Sequence, residues 1–533
     1  MQINNYISIL KREFKGYNLS SFGKDCLAGI TCTAVALPLA LAFGVSAGAD
    51  AASGLICAIL AGIIIGGLSG ASYQISGPTG AMAAILISLS VTYGLQGVYA
   101  AGFLSGVILL LFAFFKAGRL VYFIPKPVIT GFTSGIAVTI ALGQIDNAFG
   151  THSAGTSAIG KLLSYAEVGF QPVLMAVVFT LIAMLIMILW PKRFNAVFPG
   201  SLLAIIVALL IQMVFRFEVA TVGAIPRTLL PEVRLQFSSL NPAYLSKFIS
   251  PAISIALLGT IESLLCGASG GKMKGEKIDA TQELYAQGIG NAVIPFFGGI
   301  PATAAIARTS VAIKSGGVTR MTSIIHSIGL LLSMFLLGPF MAQIPLAALA
   351  GVLFVTSWRM NEWSAIRNMF SGRLKTSIAQ FLITMIATVV FDLTVAILIG
   401  VGLSMILFVL RARSEMRIQV EDPEFDEITR VVYIDGSLFF ATQERITATV
   451  NELKGQGVKR IIFSLRGVPT IDHSEIEELE GVFSDCKKDG IEYYICGLQD
   501  EVAHMFARLG VDKHFEGRTY TSVVSAIDAL KTK

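Results

Sequence analysis

Two short stretches of this chain carry the same break. Residues 296–310 read FFGGIPATAAIARTS, and residues 75–87 read ISGPTGAMAAILI. Each has a Gly/Pro interruption followed by a threonine and a run of small apolar residues, and each lies between long apolar segments. Pro78-Thr79-Gly80-Ala81-Met82-Ala83-Ala84 stands beside Pro301-Ala302-Thr303-Ala304-Ala305-Ile306-Ala307 with clear likeness. A helix that starts after such a break is too short to cross a bilayer and begins part-way through it. Its first turn leaves backbone N–H groups directed at whatever lies ahead.

Those N–H groups and the positive end of the helix dipole attract anions. Arg308 adds a full charge two turns into the second run. Gly and Pro are common in membrane helices, so a single break carries little weight. Two matching breaks in two matching halves are the sequence pointer to a transporter's binding site.

The composition agrees. With 54% hydrophobic and 14% charged residues this is not a soluble chain. From Val420 onward there are 13 Lys+Arg and 21 Asp+Glu in 114 residues, whereas the first 419 residues hold 27 and 14. A cationic, charge-poor membrane part is thus joined to an anionic soluble tail, and the overall +5 gives no sign of a nucleic-acid partner. The six cysteines (Cys26, Cys32, Cys57, Cys266, Cys486, Cys496) form no CxxC, so neither metal nor disulfides are expected. The polar, basic start, residues 1–24, is not expected to be a secretory signal, and no GK[ST] follows a glycine-rich turn, so an ATP-driven pump has no support in this sequence.

Lys11, Arg12 and Lys15 lie in an amphipathic start expected at the membrane surface. Apolar spans are expected near 25–48 (interrupted at Pro38), 51–70, the first broken helix, 97–115, 126–146, 170–190 and 199–216. Gly62, Gly66 and Gly70, at four-residue spacing, form a close-packing face. After a polar connection, 217–247, further spans are expected near 248–269, 280–297, 302–314, 320–341, 344–360, 375–391 and 393–411. That makes fourteen, as two repeats of seven, 25–216 and 248–412, within a transmembrane domain 25–412. An odd number of spans per repeat sets the repeats in opposite orientations, so the two half-helices meet N-terminus towards N-terminus near the midplane. Basic residues orient the whole. Twenty-one fall on the predicted cytoplasmic side, against Lys161, Arg216, Arg227, Arg234 and Lys247 outside, which places both termini in the cytoplasm.

Residues 418–533 alternate strand and helix. Val431–Ile434, Arg460–Leu465 and Ile491–Ile495 read as strands, and Glu444–Lys454, Glu475–Lys487 and Asp500–Leu509 as helices, giving a small α/β domain.

Two ionisable residues stand deep in the expected spans, Glu262 and Arg308. Asp25, Asp50 and Asp392 fall at span ends in ordinary solvated roles, and Glu283 lies close to the start of its span. Glu262 and Arg308 read either as a structural ion pair or as a titratable gate beside a standing countercharge to an anion. Thr79 and Thr303 can donate hydroxyls to a bound anion, while Gly80, Ala81, Ala302, Ala304 and Ala305 let it approach the backbone. Tight helix packing is the other reason for small residues there.

These residues resemble the SulP (sulfate permease) anion transporters, and the tail resembles the STAS domain those transporters carry. The likeness rests on Ala36-Leu37-Pro38-Leu39-Ala40-Leu41-Ala42-Phe43, Ile75-Ser76-Gly77-Pro78-Thr79-Gly80, Gly259-Thr260-Ile261-Glu262-Ser263-Leu264-Leu265, Gln287-Gly288-Ile289-Gly290-Asn291 and the stretch through Arg308. It implies a polytopic α-helical membrane protein with a seven-plus-seven inverted repeat, a core and a gate domain, elevator-like movement and a homodimer. It also implies an anion held between the third and tenth helices, with Phe43 on the first span beside it. The first span is similar to the bicarbonate-transporting branch. That branch's sodium ligands would be an aspartate and two threonines, and the matching positions here hold Glu262, Cys266 and Ile306. Arg308 with Glu262 looks more like the proton-linked or exchanging members, which carry sulfate, bicarbonate or small dicarboxylates. In the tail, Ser474 in Thr470-Ile471-Asp472-His473-Ser474 occupies the loop where STAS domains carry a phosphorylatable residue. A phosphate there would meet a helix N-terminus beside Glu475, Glu477 and Glu478, and a plain helix N-cap is the alternative.

The expected protein is therefore a secondary-active transporter of the cell (inner) membrane rather than an enzyme. It needs no cofactor, couples to protons or sodium, and has a cytoplasmic partner for its STAS domain. An uncoupled anion channel of the same fold, and a membrane-anchored STAS signalling or scaffold protein, are the other readings.

Overall fold

The computed structural model describes residues 3–118, 124–155, 158–191, 198–236, 241–391, 393–423 and 426–532. Asp392, Arg119, Lys192 and Arg193 of the sequence reading lie outside them. The chain separates into two compact units, residues 1–401 and 402–533.

The first half of the larger unit is α1 Ile3–Glu13, α2 Leu19–Ser46, α3 Ala51–Leu60 (continuing through a π-helical stretch at 61–65 into α4 Gly66–Leu68), strand β1 Ser76–Gly77, α5 Gly80–Phe114, α6 Lys126–Gly143, α7 Ile145–Phe149, α8 Ala158–Val168, α9 Leu174–Leu189 and α10 Gly200–Phe215. The second half is α11 Pro242–Leu245, α12 Ile249–Lys274, α13 Ala280–Val293, strand β2 Thr303–Ala304, α14 Ile306–Lys314, α15 Met321–Met341, α16 Leu346–Met360, α17 Trp363–Ser371, α18 Lys375–Val390 and α19 Leu393–Glu415. Among the described residues, six helices are long and apolar enough to cross a membrane: Leu19–Ser46, Ala51–Leu68, Gly80–Phe114, Lys126–Phe149, Ala243–Lys274 and Met321–Met341. Four shorter apolar helices, α9, α10, α16 and α18, join them.

Helical segments stand at each position where the sequence predicts a span, once α5 is divided at its kink. Gly94 has φ 66° there, so one continuous run holds the first half-helix and the span after it. Two expectations are corrected. Pro38 does not interrupt the first span, because α2 runs through it and buries it among neighbouring helices. The second half-helix begins at Ile306 rather than 302, because Thr303 and Ala304 pair instead with β1.

The packing carries the inverted repeat. Helix α2 packs on α15 as α12 packs on α5, and α6 packs on α18 as α16 packs on α9. Each pair is the other with the two halves exchanged. Gly62 and Gly66 make the close-packing face expected of them, since a Cβ would sit 1.9 Å from Ser327 Oγ at Gly62 and 2.2 Å from Ser323 Oγ at Gly66. Only glycine lets α3 and α4 lie that close to α15.

Asp25 is not a solvated end residue. It is fully buried and accepts hydrogen bonds from Val318 N (2.6 Å), Thr319 N (3.0 Å), Thr319 Oγ1 (2.6 Å), Thr322 Oγ1 (2.8 Å) and Tyr17 OH (3.0 Å). It thereby supplies acceptors to the backbone N–H groups of the turn that leads into α15. Asp50 is exposed and N-caps α3 through Ser53 N at 2.7 Å. Glu283 is buried and held by Ser69 Oγ (2.5 Å), Gly70 N (3.1 Å) and Gln287 Nε2 (2.9 Å). Helix α1 is docked rather than free: Asn5 Nδ2 donates to Asp279 (2.7 Å), Tyr6 OH to Gly67 O (2.7 Å), and Glu13 pairs with buried Arg320 at 2.6 Å.

The smaller unit contains a five-stranded sheet in the order β3 Arg417–Glu421, β4 Thr429–Asp435, β5 Arg460–Gly467, β6 Glu492–Cys496, β7 Thr519–Tyr520. The first pairing is antiparallel and the rest parallel. Helices α20 Gln443–Gly455, α21 His473–Lys488, α22 Asp500–Leu509 and α23 Val523–Lys531 complete it. The three expected strands and three expected helices all form; β3, β7 and α23 were not foreseen.

Glu475, in the first turn of α21, is fully buried; its Oε2 accepts from Thr442 Oγ1 at 3.3 Å and its Oε1 has no partner. Burial pushes its pKa up to about 7, with the Thr442 hydroxyl opposing and the charges of Asp472 and Glu478 adding. Because the folded value lies above the ordinary 4.5, the stability this proton contributes is complete below about pH 4.5 and lost as the pH rises through about 7. Discounted for solvent screening, the loss should be on the order of 1–2 kcal/mol. Denaturant unfolding of this unit between pH 4.5 and 8 should show it, and Glu475→Gln should flatten the profile.

Candidate functional site

Strands β1 and β2 form a two-residue antiparallel ribbon, with Ser76 opposite Ala304 and Gly77 opposite Thr303. From this ribbon the chain leaves in opposite directions, through Pro78 and Thr79 into α5 and through Ala305 into α14. Two helix N-termini therefore flank one short piece of paired backbone. Ala305 N extends the pairing to Ile75 O at 2.9 Å, and Ile75 N takes the Thr309 hydroxyl oxygen at 3.0 Å.

The rest of the ribbon is satisfied by buried side chains. Asn291 grips Ala302 from both sides, accepting from its N–H at 2.7 Å and donating to its carbonyl at 2.9 Å. Ser263 Oγ and Thr303 Oγ1 are 3.0 Å apart, Thr303 also reaches Gly259 O at 3.4 Å, and Ala304 N donates to Ser263 Oγ at 3.4 Å. Gln287 Nε2 donates to Ser76 Oγ at 3.2 Å, and Gln74 Nε2 to Ser263 O at 2.8 Å. In a bilayer interior no water replaces these partners, so the polar residues of α12 and α13 are what permits a break at this depth.

Arg308 is 1% exposed. Its Nη2 donates to Pro78 O at 2.6 Å, and its buried Nη1 has no hydrogen-bond partner among the described residues. The guanidinium thus lies across the ribbon against the other half-helix and is turned inward, away from lipid. A Cβ at Gly77 would stand 2.5 Å from Nη1, so the first Gly-Pro break is what admits the arginine. Among the described residues Arg308 and Glu262 make no direct ion pair within 4 Å, although each lies within range of the other's charge. Glu262 Oε2 instead accepts from Thr79 Oγ1 at 2.9 Å, and Thr79 in turn caps α5 by accepting from Met82 N at 3.3 Å.

The predicted residues therefore divide. Thr79, Gly80, Ala81, Arg308 and Glu262 gather at the start of α5, with Phe43 close by: a Cβ on Gly80 would lie 3.1 Å from Phe43 Cε1 and 2.3 Å from Ile140 Cδ1. Ala302, Thr303 and Ala304 are buried in the ribbon, their polar groups engaged by Asn291 and Ser263. At α14 it is Ala305, half-buried, with exposed Ile306 and Ala307, that forms the first turn, and no side chain caps it. Ser474 stands in the first turn of α21, behind the Asp472 cap, and is half-buried. Cys266 is buried and donates to Thr309 Oγ1 at 3.2 Å.

Asn291, Ser263, Gln74 and Gln287 were not singled out for any role. A signal existed, since amides inside apolar helical spans need partners. His326, fully buried in α15 with neither ring nitrogen hydrogen-bonded, was also missed.

A membrane unit with two half-helices meeting at one ribbon, joined to a small α/β domain, defines a class of membrane transport folds. The chain belongs to the sulfate permease family: that family's profile matches residues 22–387, and the STAS domain profile matches residues 419–526. It is 35% identical to the putative sulfate transporter YvdB of Bacillus subtilis, covering 93% of this chain and 96% of that one. It is 30% identical to the bicarbonate transporter BicA of Picosynechococcus sp., over 88% of this chain and 80% of the other. Murine Slc26a9, an anion transporter solved in the inward-facing state, shares the fold with a TM-score of 0.87 at 17% identity, over 100% of this chain and 95% of that one. The transmembrane domain of a cyanobacterial BicA aligns with a TM-score of 0.64 at 25% identity, over 73% of this chain and 98% of the other.

The Asn291 clamp yields a direct expectation. Asn291→Leu keeps the volume roughly but orphans the Ala302 N–H and carbonyl, at about 1–3 kcal/mol for each buried group. The melting temperature of the detergent-solubilised protein should fall measurably; an unchanged value would show that the clamp contributes nothing.

Proposed function

We propose that the protein is a secondary-active carrier of small oxyanions or carboxylates, of the sulfate, bicarbonate or dicarboxylate class, working by alternating access in the cell membrane. The observation that carries this reading is the unsatisfied Nη1 of buried Arg308, lying where the N-termini of α5 and α14 flank one ribbon. A buried guanidinium nitrogen without a partner is costly, and an anion oxygen between the two helix ends would complete it. The amides of Gly80 and Ala81 on one side and of the α14 first turn on the other supply further donors. The names of the relatives, sulfate and bicarbonate transporters, agree with an anion of this size.

Glu262 is the proposed coupling group. When it is ionised, the Thr79 proton points to Glu262. When it is protonated, its own O–H donates to Thr79 Oγ1, and the Thr79 hydroxyl turns to the anion. One proton thus adds both a charge balance and a donor, which favours symport of anion with proton. Sodium is the weaker alternative, because the positions of two expected ligands hold the Cys266 thiol, engaged by Thr309, and the apolar Ile306. Both termini are taken to be cytoplasmic and the protein to be a homodimer, with the STAS domain free to meet a cytoplasmic partner and Ser474 its candidate phosphosite.

Two outcomes test this in proteoliposomes given labelled sulfate, bicarbonate, fumarate or uracil, each with and without a pH or sodium gradient. Arg308→Ala should lower anion uptake at least about tenfold, equivalent to ~1.4 kcal/mol of lost binding; uptake at the normal rate would remove Arg308 from the site. Glu262→Gln, a permanent donor to Thr79, should keep anion exchange while abolishing accumulation driven by a pH gradient. Accumulation that survives the substitution would assign coupling elsewhere.

A further inference from the structure

Helix α17 follows the end of α16 after a two-residue turn and presents Trp363, Ile366, Arg367 and Phe370 on one face, at the i, i+3, i+4, i+7 spacing. With Trp358 at the end of α16 these line an open groove of about 450 Å³. Trp358 (64%), Trp363 (45%) and Phe370 (44%) are exposed. The walls are fixed: the two indoles lie 4.5 Å apart, Trp363 Nε1 donates to Trp358 O at 3.0 Å, and Phe370 meets Phe381 of α18 edge-on at 6.1 Å. The indole N–H of Trp363 is thereby satisfied, leaving its ring as apolar wall. Around the groove, residues 358–376 carry Arg359, Arg367, Arg373 and Lys375 against the single carboxylate Glu362. Arg359 is tied down, Nη2 to Met187 O at 2.6 Å, while Arg367 and Arg373 are exposed.

An aromatic slot wide enough for hydrocarbon, with a guanidinium on the same helix face and an excess of cations around it, at the end of a short apolar helix of the membrane unit, matches an amphiphile with an anionic head. We propose that the α16–α17 groove is a binding site for an anionic phospholipid, its acyl chain lying against Trp358, Trp363, Ile366 and Phe370 and its phosphate held by Arg367. Arginine engages a phosphate with two parallel N–H donors, which a zwitterionic headgroup weakens through its own ammonium. The inference rests on the membrane-spanning reading of this unit and not on which anion is carried.

The chain has three tryptophans, so Trp190→Phe leaves only the two groove indoles as reporters. The full-length variant is reconstituted in phosphatidylcholine vesicles containing an equal fraction of brominated phosphatidylglycerol or brominated phosphatidylcholine, and tryptophan quenching is measured. Brominated phosphatidylglycerol should quench at about fivefold lower mole fraction, the preference one cation gives for an anionic lipid. Arg367→Gln on this background should abolish the preference, and Arg367→Lys should retain part of it. Equal quenching by the two lipids, or a preference untouched by Arg367→Gln, would overturn the site and leave only ordinary boundary lipid. Anion uptake is read from the same vesicles. Uptake lost with the preference intact counts against the carrier reading and supports the lipid site; the preference absent with uptake intact does the reverse.

Discussion

Four residues of paired backbone organise the membrane unit. Ser76 and Gly77 face Ala304 and Thr303 from opposite halves of the unit, in a medium where an unpaired peptide group costs several kcal/mol. Because each strand ends where a helix begins, satisfying those groups also fixes where two helix N-termini lie. Everything else at the site follows from this demand. Asn291, Ser263, Gln287 and Gln74 saturate the ribbon. Gly77 keeps it thin enough for a guanidinium to cross.

The same demand separates two kinds of polar residue that look alike in the primary structure. Thr303 is spent on the scaffold, bound to Ser263 and Gly259. Thr79 faces a titratable group and caps a helix. The equivalence of the two breaks is therefore real in topology and broken in chemistry: the first half contributes a capping hydroxyl, and the second a carboxylate, a cation and an uncapped first turn.

Much of this was legible in the residue order. Apolar runs of bilayer length, the twin Gly-Pro breaks and the lone deep arginine point to the helices and to their meeting place, because each is a local property. What was not legible depends on partners far away. Asp25 reads as a solvated end residue until Thr319 and Thr322, almost three hundred positions on, close over it. The start of α14 at Ile306 cannot be read locally either, since Thr303 and Ala304 have helical neighbours but a strand partner. Glu13 and Arg320 look like two surface charges and form a buried pair. The short helices α8 and α17 lie in the connections between apolar spans, where no run of bilayer length marks them.

The fastening of α1 has a mechanical corollary. Its ties run to Gly67, Asp279 and Arg320, beside α4, α13 and α15, which belong to the same packed group of helices as the ribbon. None of these bonds reaches α6, α9, α10, α16 or α18. The amino-terminal segment is thus fastened to the helices that carry the ribbon. Anything grafted to the first residues is therefore moored to the helices around the ribbon and reports on their position.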